Sequence, residues 1–318
     1  MPHPMPTDPE VLAYIERTNS FYPPDAFTFT IEQNRQWYDR YAAEMRKPYP
    51  AGMQVETFSI AAQGPVRDIP ARRYRAADAE RYPGVTVLYL HGGGFILGGL
   101  ESHDDACAGL SEQSGIEIVS IHYRLAPEHI HPSQGDDAEA AFLHLAKSGR
   151  RVIVAGDSAG GNLTAALCMR RKAKGAPQPI GQLLIYPGLG GDPTKGSYLS
   201  NAEAPMLTTK EGGYYFKIRT GGRARDEVSD PDLMPLKARD FTDLPPAYVV
   251  TADIDPIRDD GRDYVERLNS AGVHAVWRNE PQLVHGYIRA RHMSKRAAAS
   301  VTWMAAALEA LAQRQMPV

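Results

Sequence analysis

The sequence predicts an α/β fold: a mostly parallel central sheet flanked by helices, with a helical cap. Three observations carry this. Val85–Leu90 (VTVLYL) is almost wholly apolar, the composition of a strand buried on both faces. After it, strand-like and helix-like segments take turns, the pattern that builds parallel crossovers. The alternation breaks once, between Gly188 and Leu233, and an insertion of that length in a compact domain is usually functional.

The elements follow in order. Pro9–Thr18 and Ile31–Met45 read as helices, with Val11, Leu12 and Ile15 in the first and Trp37, Tyr38 and Tyr41 in the second. An aromatic loop, Phe21–Phe27, lies between them, and Pro48 and Pro50 end the helical region. Val55–Ile60 and Ala71–Tyr74 alternate as antiparallel strands do, and Val85–Leu90 is the first buried strand. Strands at Ile116–Ile121, Val152–Ala155 and Gln182–Tyr186 then alternate with helices at Gln134–Ala146 and Gly161–Ala173. Within the insertion, Leu207–Ile218 reads as a helix. Beyond it come a strand at Ala247–Ala252, a helix at Asp260–Ala271, a strand at His274–Arg278 and a last helix at His292–Gln313. Residues 1–45 and about 188–233 are expected to meet as a cap over a core of residues 46–187 and 234–318.

Composition narrows the function. With 318 residues, 43% of them hydrophobic and 23% charged, the chain has the make-up of a soluble globular protein. A net charge of −3 supplies no long-range pull towards nucleic acid or an anionic membrane. The cluster Arg170, Arg171, Lys172 and Lys174 reads as the solvated face of a helix. Cys107 and Cys168 both fall in helical segments and suggest free thiols rather than a disulfide framework. No apolar run approaches the roughly 20 residues of a membrane span. The start, Met1–Pro6, lacks the basic and apolar stretches of a signal peptide, so a cytoplasmic protein is expected. The oligomeric state is not set by the sequence, and a homodimer is compatible with it.

Two glycine-rich motifs carry the chemistry. Gly156-Asp157-Ser158-Ala159-Gly160 lies between a strand and a helix, where the G-x-S-x-G nucleophile elbow needs to be. The chain reverses sharply there, so the serine is strained and its neighbours must be small. His91-Gly92-Gly93-Gly94-Phe95 follows Val85–Leu90 and keeps the backbone thin. Its N–H groups, with that of the residue after the serine, could hold a developing oxyanion. No lysine follows in phosphate-loop spacing. His91 itself reads as structural.

The base must follow the acid in the chain. His274, His285 and His292 are the candidates; His285 alone sits in a loop after a strand, where such a fold builds its site. Asp253, Asp255, Asp259 and Asp260 all follow Ala247–Ala252. The later two suit a helix N-terminus, which leaves Asp255 and Asp253, with Asp255 slightly favoured. His91, His103, His122, His129 and His131 form no known metal-ligand spacing, so neither a metal nor any other cofactor is expected.

The chain resembles the hormone-sensitive-lipase family of α/β-hydrolases, particularly its bacterial carboxylesterases. The resemblance rests on HGGGF at His91–Phe95, YRLAPEH at Tyr123–His129, GDSAGGNL at Gly156–Leu163, LLIYP at Leu183–Pro187, DPIRDDG at Asp255–Gly261 and HGY at His285–Tyr287. It implies the α/β-hydrolase fold, a two-part cap, Ser158 as nucleophile, Asp255 as acid and His285 as base. It also implies Gly93, Gly94 and Ala159 as oxyanion donors. Tyr287 stands where the family usually has Phe, and His129–Gln134 departs from the usual pattern.

The expected activity is hydrolysis of short-chain carboxylic esters through an acyl-enzyme, with a small-molecule ester as partner. Two alternatives stand beside it. One is a non-enzymatic ligand-binding receptor of the same fold, which in this family lacks the catalytic histidine. The other is an amidase, lactonase or carbamate hydrolase with the same triad. Phe21, Tyr22, Phe27, Trp37, Tyr214, Tyr215 and Phe216 are candidates either to line the substrate pocket or to pack the cap onto the core.

Overall fold

A computed structural model describes residues 4–23, 25–63 and 66–314. Met1–His3 and Pro24 of the expected cap, and Gly64, Pro65 and Gln315–Val318 of the expected core, lie outside the described residues. Two helices come first, α1 (Pro9–Asn19) and α2 (Ile31–Met45), then the antiparallel pair β1 (Gln54–Ala62) and β2 (Arg67–Arg75). There follow β3 (Val85–Leu90), α3 (Asp104–Ser114), β4 (Glu117–Ile121), α4 (Ser133–Lys147), β5 (Arg151–Asp157), α5 (Ala159–Ala173) and β6 (Gly181–Ile185). The insertion carries α6 (Ser197–Ser200) and α7 (Thr209–Arg219). The chain then forms β7 (Ala247–Ile254), α8 (Arg258–Ser270), β8 (Ala275–Val284) and α9 (Lys295–Gln313).

All eight strands form one sheet in the order β1-β2-β4-β3-β5-β6-β7-β8, and β2 alone runs against the rest. Every residue of β3, β4 and β6 is buried, whereas β1 at one edge is largely exposed. Because successive side chains point to opposite faces, β3 feeds two cores. Val87 and Tyr89 pack with α3 and α9, while Leu88 and Leu90 pack with α4 and α5. Each fully buried aliphatic side chain of this kind contributes about 1.5–3 kcal/mol. Among the described residues no helix is long and apolar enough to cross a membrane.

Two boundaries differ from the sequence reading in ways that bear on the site. β8 continues to Val284 instead of stopping at Arg278. Pro281 suggests a loop, but β8 is an edge strand, where a missing N–H costs no ladder bond. A register shift at Ala252/Ile254 lets β7 and β8 stay paired to their ends, so His285 leaves directly from the strand. The last helix starts at Lys295, where the Ser294 hydroxyl caps it, and not at His292; Tyr287–His292 form a 3₁₀ turn.

The N-terminal helices are not a loose appendage. Val11, Tyr14 and Ile15 of α1 share one core with Leu283, Val284 and Tyr287. Tyr22 and Tyr38 pack in the same cluster as Tyr214 and Tyr215 of α7, and Phe27 meets Tyr214 edge-on at 6.2 Å.

Candidate active site

The turn from β5 into α5 places Ser158. Its backbone is at φ +53° and ψ −114°, a region a side chain enters only under constraint. The constraint is visible: the Ser158 N–H donates to the Ile185 carbonyl at 2.8 Å. A Cβ at Gly160 would run into the Leu90 carbonyl, so only glycine lets the turn sit this close to β3.

His285 reaches the serine from the end of β8. Its Nε2 lies 2.8 Å from Ser158 Oγ and its Nδ1 lies 2.7 Å from Asp255 Oδ2. A carboxylate can only accept, so Nδ1 carries the proton and Nε2 is free to accept from the serine hydroxyl. Asp255 is fully buried, and its other oxygen accepts from the Ile257 N–H at 3.0 Å. Asn201 of the insertion donates to the backbone carbonyls of Asp253 and Asp255, each at 3.0 Å, and so holds this loop. Asp253 turns elsewhere: it accepts from Asn279 at 2.9 Å and faces Arg258. Asp259 and Asp260 instead accept backbone N–H groups of the insertion, at Ser197 and at Leu189 and Gly190 respectively.

Gly93 and Gly94 adopt φ of +122° and +60°, open to glycine at no steric cost. With Ala159 and Ser158 they line one cavity. The loop is anchored by a residue that sequence reasoning passed over. Asp157 Oδ1 accepts from the Gly92 N–H and from the Tyr89 hydroxyl, both at 2.9 Å. Burial acts to raise its pKa, but His103 and Arg289 outweigh it and the carboxyl stays ionised, below the usual range. Its signal was the Asp beside the serine in the elbow motif. His91 is buried, stacked on Tyr123 at 4.2 Å, with Nδ1 donating to the Gly92 carbonyl at 2.8 Å. Burial pushes its pKa well down, so it is neutral.

Two further residues went unnoticed in the sequence. Tyr186 sets its ring edge-on to His285 at 4.9 Å. The Tyr14 hydroxyl of α1 donates to the Gly286 carbonyl at 3.0 Å and pairs with the Tyr41 hydroxyl at 2.8 Å.

The cavity above Ser158 measures about 320 Å³. Its walls come from α1 (Tyr14, Thr18), α2 (Tyr38, Tyr41), the insertion (Met206, Leu207, Tyr215, Phe216) and the core. Of the seven aromatic candidates, Tyr22, Tyr215 and Phe216 line it. Phe27 and Tyr214 pack on each other, Trp37 packs on Phe29, and Phe21 lies under Arg17. Among the described residues no three His, Cys, Asp or Glu side chains stand where they could share a metal ion. A serine bonded to an oriented imidazole, beside glycine-loop N–H groups and under an apolar roof, is equipped for acyl transfer.

Comparison with known proteins bears on the fold and the activity. The alpha/beta hydrolase fold family matches over residues 87–289. Esterase LipI of Mycobacterium tuberculosis is 38% identical over 249 residues, 75% of this chain and 77% of its own. The ethyl acetate hydrolase of Pseudomonas putida is 30% identical over 230 residues, 70% of this chain and 72% of its own. Among solved structures, the hyperthermophilic esterase of the archaeon Pyrobaculum calidifontis superposes with a TM-score of 0.84 at 31% identity, covering 98% of this chain and 100% of that one.

Proposed function

The chain belongs to the hormone-sensitive-lipase family of α/β-hydrolases and is a carboxylic ester hydrolase, and on that premise we propose that it cleaves short acyl esters with Ser158, His285 and Asp255 as its triad. The observation that carries the triad is the unbroken hydrogen-bonded line Ser158–His285–Asp255, at 2.8 and 2.7 Å. Ser158 Oγ attacks the ester carbonyl as His285 Nε2 takes its proton. The N–H groups of Gly93, Gly94 and Ala159 receive the oxyanion, and each such donor is worth roughly 10²–10³ in rate. His285 then gives the proton to the departing alcohol, leaving an acyl-serine. Water, deprotonated by the same nitrogen, releases the acid and restores the enzyme. Asp255 holds the imidazole tautomer and balances its charge.

The receptor alternative is disfavoured by a histidine within bonding distance of the serine. Esters are favoured over amides because their leaving groups need less help from the acid. The preference for acetyl to about hexanoyl chains is supported by the cavity. Its roof is built from two distant segments, residues 1–45 and 188–233, which we read as the cap. Each buried methylene adds roughly 0.8 kcal/mol only while there is room for it; beyond that, overpacking costs more than burial gains. We assign the protein to the cytoplasm, with Cys107 and Cys168 buried as free thiols. A series of 4-nitrophenyl esters from acetyl to dodecanoyl tests the reading. The specificity constant should fall beyond hexanoyl, and Ser158→Ala should abolish turnover with an unchanged circular dichroism spectrum. A constant that climbs steadily through dodecanoyl would refute the closed pocket. Near-normal turnover by Ser158→Ala would refute the nucleophile.

A further inference from the structure

Three arginines line the cavity above Ser158: Arg219, Arg225 and Arg289. Among the described residues, none of them is ion-paired with a carboxylate. A guanidinium cannot shed its proton in a protein, so each brings a permanent charge into a largely apolar space. All three are partly engaged by the protein, and Arg219, like Arg289, keeps a buried Nε without a partner. Arg219 lies 3.7 Å over the Phe95 ring and donates to Asn162 at 2.9 Å. Arg225 donates to the Gly191 carbonyl at 2.7 Å and stacks near Tyr198 and Phe216.

Arg289 is the one carried by the turn that follows His285. Its Nη2 donates to the Tyr38 hydroxyl at 2.7 Å and to the Ser102 carbonyl at 3.3 Å. Its Nε is buried with no partner, and among the described residues Nη1 has no acceptor either. The same Nη2 approaches His103 Nε2 at 3.3 Å, but that nitrogen also lies 3.1 Å from Asp157 Oδ1. An ionised Asp157 requires a donor there, so Nε2 carries the proton and cannot accept from Arg289. The ring's other nitrogen then accepts from Ser102 Oγ, 2.8 Å away. Asp157 is thus committed to Tyr89, Gly92, Tyr186 and His103 and makes no direct bond to Arg289. Arg289 is left with phenols around it, its guanidinium 4.9 Å over the Tyr38 ring and 5.5 Å over that of Tyr41. It stands in the cavity on the 3₁₀ turn that begins just after His285.

A cation so placed, with a donor unspent and its countercharge on Asp157 reached only through space, is suited to take an anion that arrives with the substrate. We infer that Arg289 recognises a carboxylate on the substrate, so that the preferred esters carry a negative charge on their acyl or alcohol part. This rests on the esterase reading above and narrows its substrate class.

Two ester pairs separate the two sources of the charge. 4-Acetoxybenzoate against 4-acetoxybenzamide places the carboxylate on the alcohol part. The mono-4-nitrophenyl ester of adipic acid against 4-nitrophenyl hexanoate places it on the acyl part. In at least one pair the anionic ester should have the higher kcat/KM, by tenfold or more. Arg289→Gln should lower that ratio ten- to a hundredfold through KM, the range of a charge-assisted hydrogen bond. A measurement on the unaltered protein guards against a variant that misfolds. Benzoate or adipate should inhibit hydrolysis of a neutral ester competitively, at concentrations at least tenfold below the corresponding amide. Neutral esters preferred in both pairs, no advantage of carboxylate over amide inhibitors, or an unchanged ratio in folded Arg289→Gln would overturn the inference while leaving the esterase standing. Failure to cleave any of the four esters would remove both.

Discussion

At the scale of single residues, the choice between two neighbouring acids has a sharp test. Asp255 is buried and bonded to His285, while Asp253 is partly exposed and bonded to Asn279. Asp255→Asn would keep the shape of the site but favour the wrong imidazole tautomer, and kcat should fall by roughly 10⁴. Asp253→Asn should change kcat by less than about threefold, because its carboxylate faces away from the imidazole. Equal losses in steady-state assays would dismiss this assignment. Ser158 and His285 could be proposed from their local settings, a glycine-flanked serine in a strand-to-helix turn and a histidine in a loop after a strand, whereas Asp255 was clearly separated from Asp253 only by the family resemblance. Asp157 and Tyr186 were not legible, since their roles are made by partners far along the chain. The Tyr89 hydroxyl that meets Asp157 is 68 residues away, and the His285 ring that meets Tyr186 lies on another strand's end.

At the scale of elements, the buried strands announced themselves through unbroken apolar runs, whereas the edge strand β8 was cut short. Its second half, Asn279–Gln282, is polar and contains a proline, and only its place at the sheet edge makes that acceptable. The insertion was legible as a helix near Leu207–Ile218, but which of its side chains face the cavity is decided by tertiary packing. Its helix α7 begins with a reciprocal cap: the Thr208 hydroxyl accepts from the Glu211 N–H at 3.1 Å, and the Glu211 carboxylate accepts from the Thr208 N–H at 2.7 Å. Burial raises the Glu211 carboxyl above its ordinary pKa despite these bonds. Thr208→Ala should cost about 1 kcal/mol of stability by urea unfolding. Because α7 carries Tyr215 and Phe216 into the cavity, KM for short esters should rise several-fold with a smaller change in kcat. A loss confined to kcat would mean that α7 does not shape the binding site.

At the scale of the molecule, histidines held neutral set the acid limit of stability. His91 and His103 are buried and His122 is half-buried; burial is the leading cause that lowers all three pKa values. In the unfolded chain the same rings take up a proton near pH 6.5. Below that pH the unfolded state binds more protons than the folded one, so stability is full above about 6.5 and is lost as pH falls towards the depressed folded values. Each proton refused by the fold costs about 1.4 kcal/mol per pH unit in that window. The urea midpoint should therefore decline between pH 7 and 5, before most carboxylates titrate. A midpoint flat over that range would show that these rings are protonated in the fold.

The bond from Tyr14 to the Gly286 carbonyl has a temporal meaning as well as a spatial one. Its partners are 272 residues apart, so α1 docks against a turn that is synthesised much later. Contacts of such separation close late, after local helices and neighbouring strands have formed. The proposed catalytic histidine is thus steadied only when these two distant segments have met, and a chain lacking α1 can hold much of its sheet while remaining inert. On refolding from denaturant, esterase activity should lag behind the recovery of far-ultraviolet circular dichroism. Simultaneous recovery of the two signals would mean that these two segments meet early.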